Sequence, residues 1–489
     1  MNELPDTIVR SDSSKSESSW PRLTIERGKR GGLVDQIVVA ITQMVNQREL
    51  RSGTKMPSVR QFAKCNMVST FTVVEAYDRL VTLALLSSRR GSGYFVARNE
   101  VAAGPEPTAG HATPTEIDAL IPDLYSGVSD LHPVGAGWLP TEWYGEAAIL
   151  DAVRQAMKIP ANQLRGYGHP LGFPSLRQHL AARLSDELYA VEPDQILLTH
   201  GATHAFDLIL RTLTKPGDTV FVEDPLYGNL LSLIRHHGCI PVGIPRRQAG
   251  LDFDCLLEQA AITQPKLMFV NTVLQNPLGT SLSHAQAHCL LGVAEQFDFR
   301  IVEDDIYRDL ASRGEASLAA MDGLRRVIRV GSFSKTLSPV LRVGSISASS
   351  SLLPELVRVK MLAGLTTSEI NERAVYHALS ARSYRRRVER LIGQLDAARE
   401  HTIDKLRESG ITPVARPRGG MFVSAGWPEA PTPEWNGQVI ANLALKSGIL
   451  LSPNEFFMLR PSESIWFRFN VAYADTPLLH QFLQAIRRS

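Results

Sequence analysis

The sequence predicts a multidomain chain: a small helical domain closed by a two-stranded ribbon, then a large α/β domain on a mostly parallel sheet. Three observations carry this. The length of 489 residues exceeds one ordinary domain and is enough for two or three with sizeable cores. Charge is unevenly divided: the total is +2, yet residues 22–98 hold 13 Lys/Arg against 5 Asp/Glu, a surplus of +8 that leaves −6 for the rest. A small basic module on a larger acidic body points to nucleic acid at one end and something else at the other. Beyond Asp123, short apolar runs alternate with longer stretches of helical periodicity, the pattern of an α/β fold.

Residues 1–21 are rich in Ser, Asp, Glu and Lys, with no apolar stretch. They read as a disordered tail rather than a signal peptide. No run approaches the ~20 apolar residues that span a bilayer, so the expected location is the cytoplasm, away from membranes. The four cysteines, Cys65, Cys239, Cys255 and Cys289, lack metal-ligand spacing, which argues against a metal site and a disulfide framework. Residues 99–123, with the stretch GPEPTAGHATPTE, read as a linker. Its 25 residues span ~80 Å extended or ~28 Å as a flexible coil.

Within 22–98, Leu33, Val34, Ile37, Val38, Ile41, Met44 and Val45 recur at helical spacing. A turn, Gly53 to Pro57, leads to Ser58 as cap of a second helix with Val59, Phe62 and Ala63 inward. Ser69 caps a third helix from Thr70 to about Leu83, whose inner positions are Val73, Ala76, Tyr77 and Leu80. Thr70, Phe71, Thr72 and Glu75 are left outward near its start, where a recognition helix meets base edges. Residues 85–96 read as a two-stranded wing, with Arg89 and Arg90 at the tip and Gly91 and Gly93 allowing the turn. The phrases MPSVRQFA, VSTFTVVEAYDRL and RRGSGYFVA resemble the GntR-type winged helix-turn-helix over about 65 residues. That resemblance implies operator DNA as a partner, with Arg60 contacting phosphate or base. One departure is Thr70, where the family usually has Arg after the capping Ser, so the family's operator sequence does not carry over.

In the α/β part, strands are expected at 195–199, 219–223, 267–271, 300–303 and 326–330, and the last hundred residues, from about Asn371, read as a smaller lobe. The strongest motif is Gly331-Ser332-Phe333-Ser334-Lys335, with Arg342 seven residues on. A lysine with a lowered pKa makes a reactive amine, and hydroxyls with an arginine suit a phosphate dianion. Asp304 ends an expected strand, where a carboxylate can keep a pyridine nitrogen protonated, and Tyr307 and Asn276 can reach a phenolic oxygen. His200-Gly201-Ala202-Thr203-His204 joins a strand to a helix, whose free N–H groups suit phosphate. Tyr227 offers a platform for ring stacking. Arg468, on an apolar strand, needs a buried anionic partner, and a bound carboxylate suits its planar fork.

These segments, in this order, resemble the fold-type I aminotransferases (class I and II) over roughly 124–489. The resemblance implies the PLP-dependent transferase fold and pyridoxal 5'-phosphate as cofactor, with Lys335 as the Schiff-base lysine. It implies Asp304 at the pyridine nitrogen and Tyr307 and Asn276 at the phenolic oxygen. Ser332, Arg342, Ala202 and Thr203 fall at the phosphate, Tyr227 on the ring and Arg468 at a substrate or effector carboxylate. Tyr167, in Arg165-Gly166-Tyr167-Gly168, matches the tyrosine donated to the partner subunit's phosphate. The two halves together resemble the MocR-type regulators, which implies a homodimer. Three readings follow: a regulator sensing an amino compound by Schiff-base exchange at Lys335, an active aminotransferase with an appended DNA-binding domain, or a sensor of pyridoxal phosphate itself controlling vitamin B6 genes.

Overall fold

In the computed structural model, the residues described are 32–46, 50, 54–82, 85–89, 93–96, 131–160, 166–427, 435–459 and 464–488. The expected tail 1–21 and linker 99–123, together with Arg90 and Gly91, lie outside them. The chain divides into two compact units, residues 1–108 and 109–489.

The first unit holds three helices, α1 (Leu33–Asn46), α2 (Val59–Asn66) and α3 (Thr70–Thr82), and a hairpin of β1 (Leu86–Arg89) and β2 (Gly93–Val96). Its core is the apolar stripe read from the sequence: Ile37 and Ile41 from α1, Phe62 and Ala63 from α2, Val73, Ala76, Tyr77 and Leu80 from α3. Ser58 starts α2 with a reciprocal cap, its Oγ accepting from Gln61 N at 3.3 Å while Gln61 Oε1 accepts from Ser58 N at 3.1 Å. Such a cap contributes about 1 kcal/mol. Met67 takes the left-handed conformation that ends α2 and turns the chain into α3. The hairpin is tied back where Met56 N donates to Tyr94 O and Val96 N to Thr54 O, both at 2.9 Å. The buried Tyr77 ring meets Phe62 and Tyr94 edge-on.

The larger unit is built on an eight-stranded sheet: β3 (Ile196–Thr199), β4 (Thr219–Asp224), β5 (Ile240–Arg247), β6 (Gly250–Leu251), β7 (Leu267–Val270), β8 (Arg300–Asp304), β9 (Val327–Ser332) and β10 (Gly344–Ser347). The strand order is 3-10-9-8-7-4-5-6. β9, β8, β7, β4 and β5 run parallel, whereas β10 pairs antiparallel with both β3 and β9. Alternate residues enter different cores: Phe221, Met268 and Ile301 on one face, Val222, Phe269 and Val302 on the other. A parallel sheet covered on both faces requires such unbroken apolar strands.

A second, antiparallel sheet of β11 (Thr412–Pro413), β12 (Phe422–Trp427), β13 (Ser452–Pro453) and β14 (Ile465–Asn470), in the order 11-12-14-13, forms the smaller lobe. Its core takes Leu391, Leu395 and Ile403 from the helix Tyr384–Glu408, with Phe467 and Phe469 from β14. The lobe therefore begins later than Asn371. The helix Glu369–Ser380 commits Ala374, Val375, Ala378 and Leu379 to the core of the large sheet. The lobe also recruits the start of the domain: His132 bridges to Ile449, and Gly135 N donates to Leu450 O.

Candidate functional site

Four adjacent parallel strands deliver the site residues from their carboxyl ends. Lys335 lies three residues past β9, Asp304 is the last residue of β8, Asn276 follows β7, and Tyr227 follows β4 and starts the helix Gly228–His236. Open α/β sheets bind ligands at this edge. The peptide bonds Asp224–Pro225 and Asn276–Pro277 are cis.

Lys335 is half-buried, and its Nζ donates to Gly137 O at 2.6 Å. Burial pushes its amine down to about 8; Arg468 and Arg342 act in the same direction and Asp304 opposes them. Asp304 is only 4% exposed. Burial pushes its carboxyl up to about 7, against the Ile306 N–H that hydrogen-bonds it. Beside it, Asn271 Nδ2 donates to Asp304 O at 2.7 Å. Burial also raises the Tyr307 phenol, whose ring centroid lies 5.9 Å from Lys335 Nζ and which packs edge-on against Phe422. Tyr227 is half-buried, and its hydroxyl accepts from Asn229 Nδ2 at 2.9 Å.

Arg468 is buried on β14, between Ser424 of β12 and Ser452 of β13. Its Nη1 donates to Asn276 Oδ1 at 2.9 Å and its Nη2 to Gly135 O at 2.5 Å. The guanidinium carbon lies 4.3 Å from the centroid of the Phe422 ring and 4.8 Å from that of Phe457. These contacts are with two neutral oxygens and two ring faces. Cation–π attraction and charge-assisted hydrogen bonds offset part of the desolvation.

At the other end stand Arg342, Ser332 and the start of the helix Ala202–Leu213. Arg342 Nη2 donates to His200 O at 3.2 Å, and Ser332 Oγ donates to Ser334 Oγ at 3.2 Å. Ala202 is half-buried and Thr203 exposed. Space is tight: a Cβ on Gly201, whose φ is +80°, would fall 2.8 Å from Arg342 Nη2. A Cβ on Gly344 would fall 2.8 Å from the carbonyl carbon of Gly201 and 3.0 Å from Gly331 O. The donor set fits a planar pyridine bearing an aldehyde and a phosphate: a buried acid for a ring nitrogen, an activated amine for the aldehyde, and hydroxyl, arginine and helix N–H groups for the phosphate.

Sequence reading missed the segment 135–138, whose carbonyls meet the site one after another. Gly135 O accepts from Arg468 and Gly137 O from Lys335, while Asn470 Nδ2 donates to Ala136 O at 3.0 Å and to Trp138 O at 2.6 Å. Gly135 has room for no side chain, since a Cβ would lie 2.5 Å from Ser452 N. Tyr144 was also missed; its hydroxyl donates to Ser334 O at 3.3 Å and accepts from Leu139 N at 3.1 Å. The pair of glycines around Ala136 was the one local signal. Tyr167 stands apart from the others: its side chain is 80% exposed.

In the first unit, Ser69 Oγ accepts from Thr72 N at 3.0 Å and meets Thr72 Oγ1 at 2.7 Å, so both are engaged in capping α3. Phe71 is 77% exposed, and Thr70 and Arg60 are exposed as well. Glu75 faces Arg79, which pairs at 2.7 Å with Asp35 of α1. Arg89 closes β1, the position read as the wing tip.

Residues 138–486 match the family model for aminotransferase class I and II, and residues 33–96 match that for bacterial regulatory proteins of the gntR family. The HTH-type transcriptional regulator YdfD of Bacillus subtilis is 28% identical over 458 residues, covering 90% of this chain and 92% of its own length. The probable rhizopine catabolism regulatory protein MocR of Rhizobium meliloti is 29% identical over 396 residues, covering 75% of this chain and 78% of its own. Among solved structures, the kynurenine aminotransferase of Pyrococcus horikoshii superimposes with a TM-score of 0.67 at 25% identity, over 75% of this chain and 92% of that one. The chain belongs to the aminotransferase class I and II family, in the MocR-type arrangement of transcriptional regulators in which a GntR helix-turn-helix domain precedes it.

Proposed function

We propose that this regulator reads an amino compound bearing a carboxylate through amine exchange at Lys335, with pyridoxal 5'-phosphate as the resident cofactor. The observation that carries the reading is the convergence of Lys335, Asp304, Asn276 and Tyr227 at the carboxyl ends of four adjacent strands, with Arg468 bonded to Asn276. When bound, the cofactor supplies an aldehyde carbon that condenses with primary amines. Lys335 would hold the cofactor through that carbon, and its lowered amine would let another primary amine compete for the same position. Asp304 holds the ring nitrogen's proton, Tyr307 and Asn276 orient the phenolic oxygen, and Tyr227 covers the ring. Ser332, Arg342 and the N–H groups at Ala202 and Thr203 bind the phosphate. Arg468 takes the effector carboxylate.

Cofactor attachment at Lys335 would take its amine from the Gly137 carbonyl, and a carboxylate at Arg468 would compete with the Gly135 carbonyl, both on the segment that follows the expected linker. Regulation further requires that the effector bind two states of the protein with different affinity. The proposal includes domains at 22–98 and 124–489, action in the cytoplasm, and a homodimer in which Tyr167 serves the partner subunit's phosphate site. A dimer also suits paired half-sites on DNA. Arg60, Ser69, Thr70, Phe71, Thr72, Arg89, Arg90 and Gly91 form its operator face.

The test is a titration of purified, cofactor-loaded protein with amino acids, ω-amino acids and plain amines, following the visible band and operator binding together. Carboxylated amines are expected to move both. Plain amines moving the band equally well would overturn the carboxylate assignment. The gapless set of cofactor residues favours a second reading, a working aminotransferase. Multiple turnover with a keto-acid acceptor, with operator affinity unchanged, would establish that reading instead.

A further inference from the structure

The helix Leu353–Gly364, the helix Glu369–Ser380 and the turn 166–173 meet at a polar cluster of Lys360, Thr367 and Glu372. Lys360 and Glu372 are each 1% exposed. Lys360 Nζ donates to Pro170 O at 2.8 Å and to Thr367 Oγ1 at 3.1 Å. Thr367 Oγ1 donates in turn to Glu372 Oε1, and Glu372 Oε2 accepts from Phe173 N at 2.7 Å. One continuous chain of hydrogen bonds thus grips both ends of the stretch 170–173.

Other bonds fix the remainder of the turn. Thr366 Oγ1 donates to Tyr167 O, Arg177 Nε donates to Gly172 O at 3.2 Å, and Leu198 N donates to Leu171 O at 2.9 Å. Yet Tyr167 itself is 80% exposed, and Leu362 and Leu365, between Lys360 and Thr367 in the chain, are 76% and 46% exposed. Such firm anchoring of a backbone whose aromatic ring meets solvent makes sense if the ring's target lies outside this copy of the chain. Stability alone does not account for the ionisable groups, because well-packed apolar side chains of similar volume usually hold a fold as well as buried charges do.

We propose that Lys360, Thr367 and Glu372 are positioning residues that set the 166–173 turn so that Tyr167 reaches the phosphate site of a second copy. The proposal rests on the assignment of Tyr167 made under Proposed function. Its test uses full-length protein, with cofactor affinity read by titrating the cofactor-free form with pyridoxal phosphate and following the visible band. As homodimers, Glu372→Gln, Thr367→Val and Tyr167→Phe should each weaken that affinity by about tenfold or more, while borohydride still traps the cofactor on Lys335.

Mixed dimers, co-expressed with two different tags, then separate the roles. In the first, one subunit carries Glu372→Gln with Lys335 intact and its partner carries Lys335→Ala with Glu372 intact. The covalent site receives its tyrosine from the intact turn, so wild-type affinity is expected. In the second, Glu372→Gln and Lys335→Ala share one subunit beside a wild-type partner, and weak affinity is expected. A defect that follows Lys335's own subunit in both dimers overturns the proposal, because it marks a local structural role. If Tyr167→Phe weakens binding while Glu372→Gln and Thr367→Val do not, the cluster has no positioning role although Tyr167 keeps its own. If Tyr167→Phe binds like wild type, the Tyr167 assignment fails and the proposal falls with it.

Discussion

Lys335 and Lys360 occupy two polar regions of the same domain, and burial pushes both amines down to about 8. Their surroundings differ. Lys360 donates to a carbonyl and a threonine, with Glu372 opposing the loss of its charge. Lys335 donates to the carbonyl of Gly137 and has Arg468 and Arg342 close enough to disfavour its proton further. A lowered amine pKa is therefore common to a holding lysine and a reactive one. What separates them is the balance: Lys360 has two acceptors and Glu372 against one cation, Arg177, whereas Lys335 has one acceptor and Asp304 against two cations, Arg468 and Arg342.

The largest effect expected from this contrast is on covalent chemistry. Lys335→Ala should abolish the borohydride-trapped adduct, whereas Lys360→Met should leave the adduct on Lys335. Mass spectrometry of the reduced, digested protein decides it, and an adduct on Lys360 would erase the distinction. Next in size is the neighbouring cation. Arg468→Ala should weaken binding of a carboxylated amine by ~2–5 kcal/mol, the usual cost of breaking a buried charge pair. Arg468→Lys should lose less but still bind poorly, since a point charge lacks the paired fork. Cofactor affinity should survive both changes, because Arg342 and Ser332 sit at the other end of the site; a cofactor loss equal to the effector loss would contradict that.

The shared property has a pH signature. A lysine whose folded pKa lies below its unfolded value is charged in both states below about 8 and neutral in both above about 10.5. In between, the unfolded chain binds more protons, so the stability of the cofactor-free protein contributed by each lysine rises with pH across this window. Thermal melts from pH 7 to 10 should show a smaller rise for Lys335→Met than for wild type. An unchanged pH dependence would mean that Lys335 titrates as an ordinary lysine. The smallest effects belong to the first unit. Arg60→Ala should weaken DNA binding at all sequences and lower the salt slope by about 1. Phe71→Ala should instead relax discrimination at a base pair by ~1–3 kcal/mol. Binding curves at several salt concentrations on matched and mismatched sites distinguish the two.

The parts of the molecule readable in advance are those where cause and consequence lie close in sequence. The helix cap at Ser58, the inward stripe of α3 and the strand leading to Asp304 follow from periodicity and local hydrogen bonding. The 135–138 carbonyls were not readable, because their partners Asn470, Arg468 and Lys335 lie about two to three hundred residues away in the chain. The same holds for the rings beside Arg468. Phe422 meets the guanidinium through the β12–β14 pairing, which no local pattern announces. The start of the smaller lobe was misjudged because the helix Glu369–Ser380 is amphipathic whichever core receives it.

The contact among Gly201, Gly331 and Gly344 has a consequence for how this site can change over generations. Any side chain added at Gly344 meets the backbone of Gly201 within 2.8 Å, and any added at Gly201 meets the arginine above it. Backbone cannot yield as a flexible side chain does, which closes Gly344, and at Gly201 the φ of +80° itself strains any other residue, so neither position offers a gradual path to a different one. Thr203, exposed as the second residue of the helix that Gly201 starts, has a side chain that is free to vary. In a saturation library selected for retained function, Gly201 and Gly344 should tolerate no alternative, with diversity accumulating at Thr203. New ligand preferences in this lineage would then arise around Arg468 and the 135–138 segment, while the phosphate end stays as it is.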